Sequence, residues 1–417
     1  MRGLAHTGPV WGALVAATFL AVLVVAPAAR IAACILAAVG AVSFAKPVWG
    51  AAALPAALIW TPRIYLAVVG DEALFCRIDH AIVAGLAAYL LIREHPRGTS
   101  LHVPLVLFLT GLSATTLVGL LRGTAAAPES ALLSIAQLAH LGLVFICAHA
   151  QGPRLGRAGL YAWALPVAAL AAFGVAEWLR PCAPMPDGPY RTFEHVFFAG
   201  QANHAAGLLA VGAVVGAALL REPRWRALGA ALAVAAGTAL IGTRSREGAA
   251  ALAAAFSGLL LIRVPRLRWL APVAVAAVLV VPPETWNALA PPGSSLFDRI
   301  VNWKEALSTA PRHPWIGLGL GARHRQFYDN QYLMFLVEGG AITLVLFVGW
   351  LAYLARELGQ AATSSPGLRG ALSAGALCGL AAIAFQSLVA VCFVVTLVAG
   401  PLYWLAGYAL SVEEPES

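Results

Sequence analysis

Apolar runs long enough to cross a bilayer follow one another along nearly the whole chain, separated by short clusters of Arg, Pro, Gly and polar residues. A hydrocarbon core about 30 Å thick takes roughly 20 residues of upright helix, fewer where the bilayer thins. On that measure spans are expected near 10–26, 31–45, 47–60, 79–92, 101–121, 130–149, 159–178, 204–220, 226–242, 247–262, 268–281, 330–354, 370–389 and 391–410. Several are short and Ala-rich: 31–60 reads equally as one broken unit, and the last pair admits a re-entrant piece, so the expected count is about 12–14. The first run follows Arg2 as a secretory leader would, but another span comes directly after it, and it reads as an uncleaved anchor. Backbone groups in lipid have to pair internally, and the alternation and turn spacing of a membrane barrel are missing, so the spans are expected to be helices. The expected fold is all-α: one polytopic membrane domain over residues 1–417.

The pattern changes character at 282–329, a long connection inserted between spans. Pro and Gly punctuate its start, and then "SLFDRIVNWKEALSTA" places Phe297, Ile300, Val301, Ala306 and Leu307 at helical spacing behind Ser294 or Ser295 as a cap. The spacing predicts an amphipathic helix lying on the membrane's outer face. The "HPWIGLGLG" that follows lacks the Gly-Lys-Ser/Thr and the preceding strand of a nucleotide loop, and its glycines are expected to let backbone pack closely.

Composition confirms the solvent and adds orientation. Of 417 residues 60% are apolar and 11% charged, with mean hydropathy +0.81. With the amino terminus inside, 14 of the 27 basic residues fall in inside loops. Seven of the other 13 lie in the two longest outside loops, near 179–203 and 282–329, which leaves six in short outside connections. This bias favours both termini in the cytoplasm and marks an arginine-rich outer surface.

Those arginines either keep loops in water or form an anion site. The charge of +8 suits anionic headgroups either way, but the planar guanidinium fork fits phosphate oxygens two at a time. Arg244 and Arg246 in "GTRSREG" occupy a turn of a few residues on the outer side, with Glu247 placed to favour the next helix's dipole. In "RTFEHVFFAGQANHAAG", Arg191, Glu194, His195, Asn203 and His204 flank a span; histidines nine apart are no metal signature and fit a polar substrate better. Glu338, inside the span at 330–354, is expected to face protein or a wet cavity. Cys76 and Cys182 fall in outside loops, where one disulfide is permitted. The dispersed arginines, without interleaved aromatics, offer no nucleic-acid signature. No cofactor and no metal site is expected.

The order "TRSREG", then "DRIVNWKEAL" with "HPWIGLGLG", then "DNQYLMFLVEGGAITL" resembles the O-antigen ligase and O-antigen polymerase superfamily of bacterial envelope glycan assembly, over roughly residues 190–350. The resemblance implies a GT-C-like helical glycosyltransferase of the inner membrane. Such an enzyme moves a glycan from an undecaprenyl-pyrophosphate donor to an acceptor hydroxyl, on lipid A core or a growing polysaccharide, at the periplasmic face. By position, Arg244 and Arg246 match the arginine turn facing the pyrophosphate, Arg299 and Trp303 the "R…W" of the large loop, and His313 and Pro314 its "HP". Ligases of the family typically carry His-Asn where this chain has Asp329-Asn330, which leaves the acceptor open. Chemically, Asp329 is the expected general base for the hydroxyl, with His313 and His324 as rivals and Asn330 beside it. Arg244, Arg246, Arg299 and Arg191 are expected to bind the pyrophosphate. An Asp or Asn here is equally a helix-start residue. Two alternatives stand: a metal-dependent lipid-linked glycosyltransferase using Asp71 and Glu72, and a polytopic transporter or flippase with intramembrane Gln137, His140 and Gln386.

Overall fold

The computed structural model describes residues 27–60, 64–69, 72–94, 102–124, 128–179, 202–263, 295–321 and 329–413. Among them are thirteen α-helices. The first five are α1 (Pro27–Ala45), α2 (Pro47–Trp60), α3 (Ile78–Tyr89), α4 (Val103–Leu121) and α5 (Pro128–Leu155), followed by α6 (Ala158–Leu179), α7 (Ala202–Leu219), α8 (Arg226–Gly242) and α9 (Arg246–Arg263). The rest are α10 (Ser295–Thr309), α11 (Gln331–Ser364), α12 (Gly367–Gln386) and α13 (Thr396–Ser411). Seven helical stretches are long and apolar enough to cross a membrane, from Val103–Leu121 to Gly367–Gln386. The chain is a polytopic helical membrane protein. The expected spans at 10–26 and 268–281 lie outside the described residues.

Three features sharpen the pattern-based expectation. The unit at 31–60 is two helices, in line with the separate spans at 31–45 and 47–60: Pro47 lacks the N–H that would continue α1 but suits the first turn of α2, so the chain breaks at Lys46. Next, strands β1 (Ile64–Val69) and β2 (Glu72–Cys76) form an antiparallel hairpin within a connection expected to be loop. The "IYLAVV" run is rich in β-branched and aromatic residues, and Gly-Asp follows it, a strand-and-turn signal that an all-α reading passes over. Third, the span at 330–354 is not one straight helix. Gly340, at φ 71° and ψ −177°, breaks α11 into two segments, in a region of backbone space open essentially to glycine alone.

The centre of the bundle is α7 and α13, buried on nearly every side. Lipid gives no hydrophobic push between helices, so packing rests on close approach and on polar groups finding partners. Gly216 on α7 and Gly229 on α8 meet backbone to backbone: a Cβ on Gly216 would lie 2.6 Å from the Ala233 nitrogen, and one on Gly229 2.7 Å from the Gly216 oxygen. Buried indoles are satisfied across helices, Trp163 Nε1 donating to the Pro401 carbonyl and Trp404 Nε1 to that of Ala51, each at 3.0 Å. Aromatic rings fill the space below the start of α11, with Phe335 and Phe347 4.6 Å apart between centroids and Phe108 and Phe393 against them.

Candidate functional site

Among the described residues, Asn203, Glu247, Arg299, Asp329, Asn330 and Gln386 converge at one end of the bundle, where α7, α9 and α11 begin and α12 ends. Ser245 caps α9, its Oγ accepting from the Gly248 N–H at 3.0 Å, while Thr243 Oγ1 accepts from the Ser245 N–H at 3.1 Å. Between them Arg244 takes a left-handed conformation, φ 51°, which is costly for a residue with a Cβ. Arg244 and Arg246 are both exposed and make no ion pair among the described residues.

Glu247 does more than complement the helix dipole. Its Oε1 pairs with the Arg299 guanidinium of α10 and accepts from Asn203 Nδ2 at 3.3 Å. Asn203 in turn offers its carbonyl to Gln386 Nε2 at 2.8 Å. A Cβ on Gly248 would sit 2.4 Å from that of Ala206, so the same glycine that follows Glu247 brings α9 against α7. Arg299 is thereby fixed over the site with part of its hydrogen-bonding fork already committed.

Asp298, Arg299 and Asn302 lie on one face of α10 by helical spacing. Asn302 Nδ2 donates to Asp329 Oδ2 at 3.4 Å. Asp329 is half-buried, and loss of water raises its carboxyl above the ordinary 3.8; the Arg299 charge and the Asn302 hydrogen bond oppose this, and the Asp298 charge adds to it. Asp329 adopts φ 48°, the other left-handed residue with a side chain among those described. The cap is its neighbour: Asn330 Oδ1 accepts from the Tyr332 and Leu333 N–H groups at 2.9 and 3.0 Å, and Asn330 Nδ2 donates to the Leu388 carbonyl at 2.8 Å. Of the two roles open to Asp329-Asn330, helix start falls to Asn330, and the Asp329 carboxylate takes no part in the cap and meets Asn302 instead.

Below this rim the glycine turn is sewn into the kink of α11. Breaking the helix at Gly340 leaves the carbonyls of Val337 and Glu338 and the N–H groups of Ala341 and Ile342 without their helical partners. The turn supplies all four: Leu318 and Gly319 donate to Val337 and Glu338 at 2.9 and 2.7 Å, and Ala341 and Ile342 donate to Pro314 and Trp315 at 2.8 and 3.2 Å. The fit leaves no room for side chains. A Cβ on Gly340 would lie 2.3 Å from the Trp315 carbonyl, and one on Gly317, at φ 62°, 2.4 Å from that of Glu338. Thr124 on the connection after α4 holds the Leu318 carbonyl at 3.0 Å. Glu338 is buried at the end of the first segment of α11.

Helix α10 is amphipathic as expected. Ala306 packs on Val337 of α11, while Phe297, Val301 and Leu307 are exposed, as is Trp315 beyond it, an apolar face suited to the membrane surface. The Trp303 Nε1 is buried with no hydrogen-bond partner. His313 ends the short 3₁₀ turn Ala310–Arg312, its carbonyl taken by the Gly317 N–H at 3.0 Å. Arg191, His195, Arg323, His324, Arg325, Cys182 and Asp71 lie outside the described residues. Asn302 was missed in the sequence; its one signal is its place a turn beyond Arg299. Among the described residues one metal-ligand cluster occurs, Asp79, His80 and His140, on α3 and α5, which contribute no residue to this site.

Residues 230–348 match the family described as O-antigen ligase. The matched stretch runs from α8 into α11 and holds Arg244, Arg246, Glu247, Arg299, Asn302 and Asp329, together with the whole sewn-in turn. No curated protein matches the chain.

Proposed function

Taking the O-antigen ligase domain at residues 230–348 as premise, we propose that this membrane protein transfers a glycan from undecaprenyl pyrophosphate to an acceptor hydroxyl at the periplasmic face. The single observation that carries the reading is the chain of contacts from the arginine turn to a freed carboxylate. Glu247, next to Arg246, holds Arg299; the Arg299 charge and Asn302 act on Asp329; Asn330 relieves Asp329 of capping.

The chemistry follows from those positions. The acceptor oxygen attacks the anomeric carbon, its proton passes to the Asp329 carboxylate, and the bond to the pyrophosphate breaks with its electron pair leaving on the phosphate oxygen. In this reading the exposed Arg244 and Arg246 meet the charge that develops on the leaving group, and Arg299 contributes the donors Glu247 leaves over. A single displacement inverts the anomeric centre. A carboxyl whose affinity for protons is raised by burial is a better base near neutrality than an ordinary one. The exposed apolar face of α10 keeps the arginine rim at the membrane surface, where a lipid pyrophosphate lies.

The test is incubation of the full-length protein in detergent with an undecaprenyl-pyrophosphate-linked glycan and candidate acceptors. Product without any gradient is expected, as a ladder for a polymerase or a single transfer for a ligase. Donor left unconsumed in detergent, with movement of lipid-linked glycan across the bilayer of proteoliposomes only under a gradient, overturns the reading in favour of a transporter. Absolute dependence on added magnesium or manganese would favour the Asp71 and Glu72 alternative.

A further inference from the structure

A second polar constellation lies apart from the glycan site, where the end of α2, the start of α3 and the middle of α5 meet. Its anchor is Arg77. The last carbonyls of a helix have no partner within it, and Arg77 Nη2 donates to those of Ala57 and Leu58 in α2, at 3.2 and 2.6 Å. Its Nε donates to Asp79 Oδ1 at 2.7 Å. Asp79, in the first turn of α3, is fully buried. Its other oxygen faces two imidazoles: His140 Nε2 of α5 at 3.1 Å and His80 Nε2 at 4.0 Å.

An ion pair and one hydrogen bond account for Arg77 and His140. They leave the second imidazole unexplained, because 4.0 Å is too long for a hydrogen bond, yet His80 brings the same nitrogen towards the same carboxylate oxygen. We propose that Asp79, His80 and His140 form a three-ligand site for a divalent transition-metal ion of zinc's class. Bonds of about 2.0–2.1 Å to a tetrahedral ion put neighbouring ligand atoms about 3.3 Å apart. All three ligand atoms already lie within 4.8 Å of one another, so His80 has to close by about 0.7 Å on Asp79 and no pair by more than about 1.5 Å. Two nitrogens and one oxygen suit zinc and its first-row neighbours; magnesium and calcium demand an octahedron or larger shell of oxygens.

The surroundings resemble those of built metal sites, in which partners beyond the ligands fix their orientation. Arg77 holds the non-ligating oxygen of Asp79, and Cys76 Sγ sits 3.6 Å from Nδ1 of His80, the nitrogen turned away from the centre. The two rings stand edge to face, 4.6 Å between centroids. His80 is 31% exposed while Asp79 is fully buried, and in a tetrahedral ion the fourth ligand would be water. Binding would displace the proton between His140 and Asp79 and join α3 to α5, with α2 tied in through Arg77. Residues 77–80 and 140 fall outside the stretch that matches the ligase family, and the site stands or falls independently of glycan transfer.

The experiment is a titration of the purified full-length protein, stripped of metal, with cobalt(II), read by visible absorption, alongside zinc content as isolated. The expected result is a tetrahedral cobalt spectrum saturating near one equivalent, displaced by zinc and unaffected by excess magnesium. His140→Gln is expected to abolish it, and His80→Gln to weaken binding at least tenfold, with helical content unchanged in both. Absence of a saturable spectrum in the unaltered protein overturns the site whatever the variants do. Equal binding by the double variant overturns it as well.

Discussion

Asp329 occupies a left-handed conformation one position before the residue that caps α11, an arrangement that costs about 1–3 kcal/mol where a side chain is present and frees its carboxylate. Asp329→Asn preserves shape and is expected to lower transfer by about 10²–10⁴-fold, the usual worth of a positioned base, with the protein still folded by circular dichroism. The pH profile gives a second readout. Because burial raises this carboxyl above 3.8, kcat/KM should fall as pH drops through that raised value, and the limb should vanish in the variant; an acid limb unmoved there assigns the base to His313 or His324. Arg299→Ala removes a positive charge that opposes the shift, so the limb should move to higher pH. The linkage to stability has the matching sign: a raised folded-state value favours the fold at pH below the ordinary carboxylate range, and that contribution is lost as pH rises through the folded value. At the neighbouring position, Asn330→Ala is expected to cost about 1 kcal/mol, up to 2, as loss of a cap, measured by denaturant titration in detergent. Asn330→Asp keeps the acceptor and should recover part of it, because its second oxygen meets the Leu388 carbonyl where the amide donated.

At the scale of the element, α11 depends on glycines more than on its apolar content. Gly340→Ala meets both a forbidden backbone region and the Trp315 carbonyl, so destabilisation of at least about 3 kcal/mol is expected, with new proteolytic cleavage within 310–321. Gly317→Ala should produce the same pattern; a variant with unchanged melting and cleavage would remove the joint between turn and helix. The apolar runs at 101–121, 130–149 and 159–178 map closely onto α4, α5 and α6, because a bilayer dictates the length and polarity of whatever crosses it. Elements set by tertiary partners were far less legible. The Gly339-Gly340 pair was visible within "VEGGAITL", yet nothing in periodicity says that a turn some twenty residues earlier supplies the missing partners. The arginine turn and Asp329-Asn330 were legible as chemistry, since charge beside an apolar span is conspicuous; the split of roles between Asp329 and Asn330 depended on φ. Asp79 and His140, 61 residues apart in different helices, carried no spacing signal at all.

For the molecule as a whole, the arrangement requires the arginine turn and α10 on the same side of the membrane and the connection before α12 on the other. Arg244→Cys and Lys304→Cys in a background without native cysteines should react with a membrane-impermeant maleimide from the periplasmic side of intact cells, and Arg369→Cys only after lysis. The reverse pattern would invert the topology. The four hydrogen bonds between the glycine turn and α11 bear on this level too. Backbone groups are identical in every residue, so this joint takes no account of which side chains stand beside it, apart from the glycines that let it close. The exposed Trp315 side chain is therefore at liberty to change without loosening the turn from α11. If the proposed glycan transfer holds, a scaffold of this kind can be retuned to a new sugar by substitutions that leave its mechanical connection untouched.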